Sequence, residues 1–242
     1  MDQTLFHQMA DIQTTHWWYE GRRFILRTAL SRLNLKPNAK ILEVGCGTGA
    51  NLLMLKEFGT VSGIEPNEFA RDTAIKHSGC VITEGYLPDD LCLNEKFDLI
   101  GAFDVIEHID DDLGSAKALH DALNPGGVAL FTVPAYQFLW SQHDVANHHK
   151  RRYTRTGFRK LLEEAGFRVE FISYYNTWLF PLVLGVRIVK KIFKMKDTPD
   201  ETMPRWPFIN TALRLIFSSE AYILQHISLP FGVSIIARCT RP

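Results

Sequence analysis

The sequence predicts an α/β protein with a parallel sheet covered by helices on both faces, and three observations support this prediction. Short apolar segments alternate with helical segments from residue 41 to residue 133. Such alternation is typical of parallel strands joined by crossover helices. A glycine-rich turn, Gly45-Cys46-Gly47-Thr48-Gly49, follows the first apolar segment. At 242 residues, the chain has the length of one large domain.

The predicted elements follow in a regular order along the chain. An amphipathic pattern over 1–15 and a second over 21–33 predict two N-terminal helices. Strands are predicted at 41–44, 61–65, 81–83, 97–103, 128–133, 167–174 and 231–239, with helices at 50–58, 68–77, 113–123 and 154–165. Residues 178–227 predict two further helices around a proline-rich linker. We therefore divide a single domain into an N-terminal helical lid (1–35), a core (36–175), a helical cap insertion (176–230) and a final strand (231–242).

Charge and cysteine content bear on the protein's partners and on its cellular compartment. The formal net charge is zero, which argues against nucleic acid as a partner. Residues 148–196 nevertheless contain 12 Lys and Arg against three Asp and Glu. The four cysteines show neither paired spacing nor a disulfide framework, and the polar N-terminus shows no signal peptide, so we expect a cytoplasmic protein.

The glycine-rich turn predicts a cofactor site, because glycine brings bare backbone close to a ligand and the following helix directs N–H groups toward it. Two cofactors fit the spacing. Gly45, Gly47 and Ala50 satisfy the G-x-G-x-x-G/A pattern of dinucleotide sites. Glu43, two residues before the first glycine, instead favours a ligand with an ammonium and a sulfonium, since a pyrophosphate would repel this carboxylate.

The surrounding motifs favour the second cofactor. Glu43-Val44-Gly45-Cys46-Gly47-Thr48-Gly49 resembles motif I of the class I S-adenosylmethionine-dependent methyltransferases. Glu65 follows Gly45 by twenty residues, and the segments 97–100, 104–108, 123–127 and 166–167 resemble the strand 4, strand 5 and strand 6 regions of that family. The resemblance implies a Rossmann-like seven-stranded methyltransferase sheet whose last strand is antiparallel, with S-adenosyl-L-methionine as cofactor.

The same resemblance implies which residues hold the cofactor. Gly45, Gly47 and Gly49 would support its methionine and ribose parts, Glu43 would orient its ammonium, and Glu65 would accept the ribose hydroxyls. Arg22 or Arg23 would pair with its carboxylate, or else remain an exposed helix charge. The other residues expected at the cofactor are Pro66, Gly85, Tyr86, Leu87, Phe103 and Asp104.

The expected reaction is in-line methyl transfer to a small molecule at a hydroxyl oxygen, which needs a base. His108 is the first candidate, and His143, His148 and His149 are alternatives in the polar loop after strand 5. No metal site is expected. Two other functions remain open. One is a nicotinamide-dependent oxidoreductase, although the chain lacks the Tyr-x-x-x-Lys pair that such an enzyme would need. The other is a module that binds the cofactor or a membrane without turnover.

The excess of Lys and Arg in residues 148–196 supports a further hypothesis about the acceptor. Residues 178–194 combine a long apolar run with Arg187, Lys190 or Lys191, and Lys194 at helical spacing. A basic amphipathic helix can lie on an anionic membrane surface. The cap is therefore expected to contact a membrane or to accept a lipid-like or phosphorylated substrate, unless its apolar face simply packs on the domain.

Overall fold

The computed structural model describes residues 3–91, 93–193 and 206–242, and a seven-stranded sheet lies at its centre. The strands stand in the order β3-β2-β1-β4-β5-β7-β6. Their bounds are β1 Lys40–Val44, β2 Thr60–Ile64, β3 Val81–Thr83, β4 Phe97–Phe103, β5 Leu123–Pro134, β6 Arg168–Tyr175 and β7 Ser234–Thr240. The five strands from β3 to β5 are parallel, whereas β7 runs antiparallel to both β5 and β6. The predicted sheet and its antiparallel last strand are confirmed.

The helices lie before and between the strands. Their bounds are α1 Gln3–Ile12, α2 Trp17–Leu30, α3 Leu52–Leu55, α4 Glu68–Ser78, α5 Asp112–Ala122, α6 Gln142–Ala146, α7 Arg155–Glu164, α8 Phe180–Ile192 and α9 Pro207–Leu224. Side-chain caps fix several starts, because an oxygen before the first turn satisfies a free backbone N–H. Asn67 caps α4, Asp111 caps α5 and Thr154 caps α7.

Several boundaries differ from the sequence prediction for identifiable reasons. Helix α2 begins at Trp17 rather than Gly21, because the side chain of His16 caps it. The helix predicted at 50–58 is reduced to α3; the Asn51 side chain donates to Glu43 and makes no capping bond at the helix start. A capping box between Ser141 and Asp144 forms α6 inside the predicted loop.

The sheet has a hydrophobic layer on each face. On one face α5 and α7 bury side chains such as Leu119 and Phe158, which pack on Phe131 of β5. On the other face α2, α3 and α9 bury Leu26, Leu55 and Phe217 among others. Burial of each such side chain contributes roughly 1.5–3 kcal/mol. The two layers fix the carboxyl ends of the parallel strands along one edge, where the polar side chains gather.

The cap insertion divides into one packed helix and one exposed helix. Helix α9 lies against α2 so closely that a Cβ on Gly21 would stand 2.5 Å from the Phe217 ring. Helix α8 leaves apolar side chains in solvent, with Leu182 57% exposed and Ile188 49% exposed. Lys194 and two prolines of the predicted linker, Pro199 and Pro204, lie outside the described residues. Within the ranges that are described, none of the helices combines the length and apolar character that crossing a bilayer requires.

Candidate functional site

A cavity of about 710 Å³ opens at the carboxyl edge of the parallel strands. It lies beneath α2, and α8 and α9 of the cap form part of its wall. Fourteen of the residues that the sequence singled out line it: Arg22, Glu43, Gly45, Gly47, Glu65, Pro66, Gly85, Tyr86, Leu87, Phe103, Asp104, His108, His143 and His149. A volume of this size falls in the range of small-molecule and cofactor sites.

The glycine-rich turn supplies the bare backbone at one end of the cavity. Gly47 has a φ of +54°, and a Cβ built there would meet no atom within 4 Å, so a side chain would project into the open space. Gly49 also has a positive φ, +87°, but a Cβ there would stand 2.9 Å from Ala74 of α4. Gly49 is not among the lining residues, and its role is the close packing of the turn on α4.

Glu65 follows β2 directly and faces the same space. Each oxygen of its carboxylate accepts one backbone N–H at 2.9 Å, from Gly47 and from Asn67. Burial raises the pKa of Glu65. A carboxylate oxygen can accept more than one hydrogen bond, so Glu65 keeps acceptor capacity for two hydroxyls of a ligand.

Glu43 lies at the end of β1, buried with 1% exposure. Its Oε1 accepts a hydrogen bond from Asn51 Nδ2 at 2.7 Å, whereas Oε2 has no partner. Burial raises the pKa of Glu43 to about 8. An unpartnered buried carboxylate oxygen is costly, and a ligand ammonium in the adjoining cavity would satisfy it.

Arg22 of α2 reaches over the exit of β4 and forms a salt bridge with Asp104. Its guanidinium also lies 4.5 Å from the centre of the Trp18 ring. The Arg22 Nε is buried and has no hydrogen-bond partner, so the group keeps a donor for a ligand carboxylate. Trp17 and Trp18 both line the cavity, and Trp17 also packs edge-on against Phe217. The aromatic cluster therefore serves the cavity wall and the helix packing together.

The second end of the cavity is formed by histidines and acids. A 3₁₀ turn at Ile106–His108 follows β4, and the backbone N–H of Lys150 donates to the Glu107 carbonyl at 2.7 Å. This bond brings the loop after β5 onto the turn, so that the ring centres of His108 and His149 lie 4.6 Å apart. Burial and the neighbouring His149 lower the pKa of His108 to about 3. His143 completes the group, 5.8 Å from His149 between ring centres.

Asp144 orients His149. Its Oδ1 lies 2.9 Å from His149 Nδ1, and its two oxygens accept from Arg152 at 2.7 and 3.0 Å. Burial would raise the pKa of Asp144, but the hydrogen bonds from His149 and Arg152 outweigh it and hold that pKa below its ordinary value. An ionised Asp144 fixes the proton of His149 on Nδ1 and leaves Nε2 as an acceptor.

Sequence reasoning assigned no role to Glu107 and Asp144, and it placed Arg152 only among the basic residues of 148–196. Glu107 is fully buried, and neither of its carboxylate oxygens has a hydrogen-bond partner. Burial and the nearby negative charge of Asp104 raise its pKa well above the usual range. An acid beside a histidine at a strand exit, and an Asp five residues before His149, were the signals that could have indicated the cluster.

Comparison with known proteins agrees with the cofactor end of the site. Residues 13–171 match a family model described as a methyltransferase domain. A ubiquinone biosynthesis O-methyltransferase of Actinobacillus pleuropneumoniae is 31% identical over 152 residues, which cover 54% of this chain and 64% of the relative. The match thus spans less than two thirds of that enzyme's length.

Solved structures show the same fold at low sequence identity. A Haloferax volcanii methyltransferase, solved with the Trm112 methyltransferase activator, superposes with a TM-score of 0.64 at 16% identity, covering 99% of this chain and 95% of that one. A phosphoethanolamine N-methyltransferase of Haemonchus contortus, solved with S-adenosylhomocysteine, gives a TM-score of 0.59 at 15% identity, covering 97% and 59%.

The family match decides against the nicotinamide-dependent alternative, and the residues present fit the cofactor of this family. Glu65 offers acceptors for hydroxyls, Gly47 offers bare backbone, and Glu43 offers an unpartnered oxygen for an ammonium. The chain therefore belongs to the S-adenosyl-L-methionine-dependent methyltransferases of this methyltransferase-domain family.

Proposed function

We propose that the protein methylates a hydroxyl oxygen of a small, lipid-like acceptor. The observation that carries this proposal is the continuity of the cavity, which joins three regions. The glycine-rich turn with Glu65 lies at one end, the His108–His149 group lies beside it, and apolar residues of α8 line the remaining wall. Donor, base and acceptor would then share one enclosed space, as in-line transfer requires.

The cofactor end acts by binding and orientation. The sulfonium supplies an activated methyl group when S-adenosyl-L-methionine is bound. Glu65 holds hydroxyls, Glu43 meets the ammonium, and Arg22 meets the carboxylate while it remains paired with Asp104. Helices α1 and α2 act as a lid in this proposal, because the buried hydrogen bond from Thr48 Oγ1 to Gln13 Oε1, 2.6 Å long, ties the end of α1 to the glycine-rich turn.

The base is His149 in this proposal. Its Nδ1 lies 2.9 Å from the Asp144 carboxylate, so Nε2 is the nitrogen that accepts a proton. His149 Nε2 would take the proton of the acceptor hydroxyl as that oxygen receives the methyl group. The ring centres of His108 and His143 lie 4.6 and 5.8 Å from that of His149, and all three side chains line the cavity.

At the acceptor end, the cavity wall is formed by apolar side chains of α8 and by two basic side chains of the same helix. Leu182, Val183 and Val186 of α8 line the cavity, and so do Arg187 and Lys190. Such a wall suits an acceptor with an apolar tail or an anionic group. Oxygen as the methylated atom agrees with the Actinobacillus pleuropneumoniae relative, an O-methyltransferase of ubiquinone biosynthesis.

An acceptor assay would test this function. Purified protein is incubated with S-adenosyl-L-methionine and either a phenol that carries a long apolar tail or phosphoethanolamine, and the products are identified by mass spectrometry. We expect the methyl group on the phenolic oxygen, and we expect His149→Ala to lower kcat by roughly 10²- to 10⁴-fold. His226→Ala, an exposed histidine after α9, is the matched control and should leave kcat unchanged. Methylation of phosphoethanolamine nitrogen alone would overturn the proposed acceptor class.

The same proposal includes peripheral contact with an anionic membrane. Large apolar side chains of α8 and α9 are exposed, among them Val189 at 47% and Phe208 at 91%. Helix α8 carries Arg187 and Lys190 as well as part of the cavity wall, so a lipid-like acceptor would pass from the bilayer directly to the site. The chain's cysteines in the described ranges are free and buried, which suits a cytoplasmic location for this surface.

Vesicle flotation would test the membrane contact. We expect the protein to float with vesicles that contain phosphatidylglycerol and to remain in the lower fraction with pure phosphatidylcholine. The double variant Ile188→Asp/Val189→Asp should lose flotation, because both side chains are exposed on α8. Ile75→Asp on α4, also an exposed apolar position, is the control and should float as before. If the unaltered protein does not float with the anionic vesicles, the proposed membrane contact is wrong.

A further inference from the structure

We propose that Glu107, His108 and His149 together bind a divalent transition-metal ion of the zinc type. Each side chain offers one ligand atom, and the three atoms lie within 4.8 Å of one another. The group lines the cavity, so a bound ion would face the space assigned to the acceptor. Sequence analysis expected no metal; the three ligands come from two segments of the chain that are separated by forty residues.

Glu107 is the first argument for a cation. The residue is 0% exposed, and neither carboxylate oxygen has a hydrogen-bond partner. The two nearby guanidinium groups are already committed, since Arg22 pairs with Asp104 and Arg152 pairs with Asp144. Glu107 is therefore left without a guanidinium partner of its own. A divalent cation would satisfy its two carboxylate oxygens.

His149 is the second argument, because its ring is held as metal-ligating histidines are held. Asp144 accepts from Nδ1 at 2.9 Å, and Arg152 fixes Asp144 in turn. A carboxylate on one ring nitrogen orients the other toward a metal and raises its basicity. The free nitrogen, Nε2, lies 4.0 Å from Glu107 Oε1.

The distances and ligand types indicate the class of ion. Two ligand atoms of one tetrahedral zinc ion lie about 3.3 Å apart, given bonds of about 2.0–2.1 Å. Side-chain rotations would close the 4.0 Å gap between His149 Nε2 and Glu107 Oε1 to that value. Two imidazoles and one carboxylate suit zinc-type ions, whereas Mg²⁺ and Ca²⁺ prefer oxygen ligands alone. Three protein ligands leave one coordination position open toward the cavity, as in catalytic sites.

The inference rests on the proposed function for the acceptor and replaces one of its steps, the transfer of the acceptor's proton to His149. With an ion present, His149 Nε2 is a ligand and does not take the acceptor's proton. The acceptor hydroxyl would bind at the open position, become acidic there, and release its proton to water before its oxygen attacks the methyl group. Metal binding itself does not depend on the identity of the acceptor.

The test measures the metal alone. The full chain is treated with a chelator, dialysed and titrated with Zn²⁺ by calorimetry, and with Co²⁺ by visible absorption. We expect one equivalent of each ion to bind. Glu107→Gln and His149→Ala should each abolish stoichiometric binding, and Asp144→Asn, which alters a positioning residue, should weaken it by roughly 10- to 100-fold. His226→Ala controls for the loss of a histidine elsewhere and should bind as the unaltered protein does.

The outcomes separate this inference from the proposed function. Failure to bind either ion, or equal binding by Glu107→Gln, His149→Ala and the unaltered protein, would overturn the metal site. Calorimetry with S-adenosylhomocysteine on the same chelated samples reports folding and the cofactor end independently. If the protein binds S-adenosylhomocysteine but neither metal ion, the metal site is rejected and the proposed function is not. Metal binding without O-methylation of any phenolic acceptor would reject the proposed function and leave the metal site in place.

Discussion

Glu43→Gln should stabilise the protein without its cofactor and weaken cofactor binding, because Glu43 is a buried acid that lacks a positive partner. One carboxyl oxygen accepts from Asn51 at 2.7 Å, and the other accepts nothing. Burial raises the pKa of Glu43 from 4.5 to about 8. The folded chain therefore retains a proton that the unfolded chain loses above pH 4.5.

The magnitude follows from this difference in pKa. Each pKa unit corresponds to about 1.4 kcal/mol, so the Glu43 contribution to the free energy of unfolding falls by roughly 5 kcal/mol between pH 4.5 and pH 8 and then levels off. At pH 7 the unfavourable contribution amounts to roughly 3 kcal/mol. Glutamine has no proton to lose, so Glu43→Gln should recover most of that amount at pH 7 and flatten the decline with pH.

Cofactor binding should show the opposite effect. The ammonium of the cofactor favours the ionised form of Glu43, so binding at pH 7 should release close to one proton. Calorimetry in two buffers that differ in ionisation enthalpy measures this proton directly. Glu43→Gln should release none and should bind S-adenosylhomocysteine roughly 10- to 100-fold more weakly, the usual value for a lost hydrogen bond to a charged group.

Glu220 provides a matched control. It is also fully buried, has one unpartnered oxygen, and has a pKa raised by burial to about 7. Because it lies outside the cavity wall, Glu220→Gln should raise stability at neutral pH yet leave cofactor affinity and proton release unaltered. If chemical denaturation between pH 5 and pH 9 showed the same slope with and without Glu43→Gln, the proposed environment of this acid would be wrong.

Three further substitutions test the turn, the lid and the ion pair. Gly47→Ala should fold with a cost of about 1–2 kcal/mol for its positive φ but bind S-adenosylhomocysteine more weakly in calorimetry; unchanged affinity would remove Gly47 from the site. Gly21→Ala should lower the Tm, because the new Cβ would lie 2.5 Å from the Phe217 ring and should cost about 1–3 kcal/mol of stability. Its control, Gly185→Ala on α8, meets no atom within 4 Å and should raise Tm slightly; equal Tm values for the two variants would contradict the close packing. Arg22→Lys should weaken binding of the same product, since one ammonium cannot reach both Asp104 and a ligand carboxylate, and unaltered binding would count against that contact.

The sequence sufficed for the sheet and the cofactor end because both depend on local patterns. The apolar segments and their turns predicted all seven strands, with β3 and β4 at the observed bounds. Gly47 and Glu65 are set by the strands that immediately precede them, so position in the sequence fixes their position in space. Their mutual hydrogen bond at 2.9 Å follows from the parallel pairing of β1 and β2.

The histidine end could not be derived in the same way because tertiary contacts create it. The hydrogen bond between Lys150 N and the Glu107 carbonyl joins a turn after β4 to a loop after β5. Periodicity does not register such a contact. The capping box of Ser141 and Asp144 is local and recognisable, but the pairing of Asp144 with His149 and Arg152 depends on how α6 is placed. Sequence reasoning therefore found the histidines and missed the acids that orient them.

The acids in and around the cavity differ in whether a positive side chain pairs with them, and the difference indicates where ligands bring positive charge. Asp104 and Asp144 each have a guanidinium partner within the chain. Glu43 and Glu107 each have carboxyl oxygens without a partner, and both line the cavity. Replacement of an uncompensated acid by its amide should stabilise the empty protein, whereas replacement of a paired acid should destabilise it by stranding an arginine. Measured stabilities of Glu43→Gln and Glu107→Gln against Asp104→Asn and Asp144→Asn would test this division. If all four variants lowered the stability by similar amounts, the interpretation of Glu43 and Glu107 as binding sites for cationic ligands would be wrong.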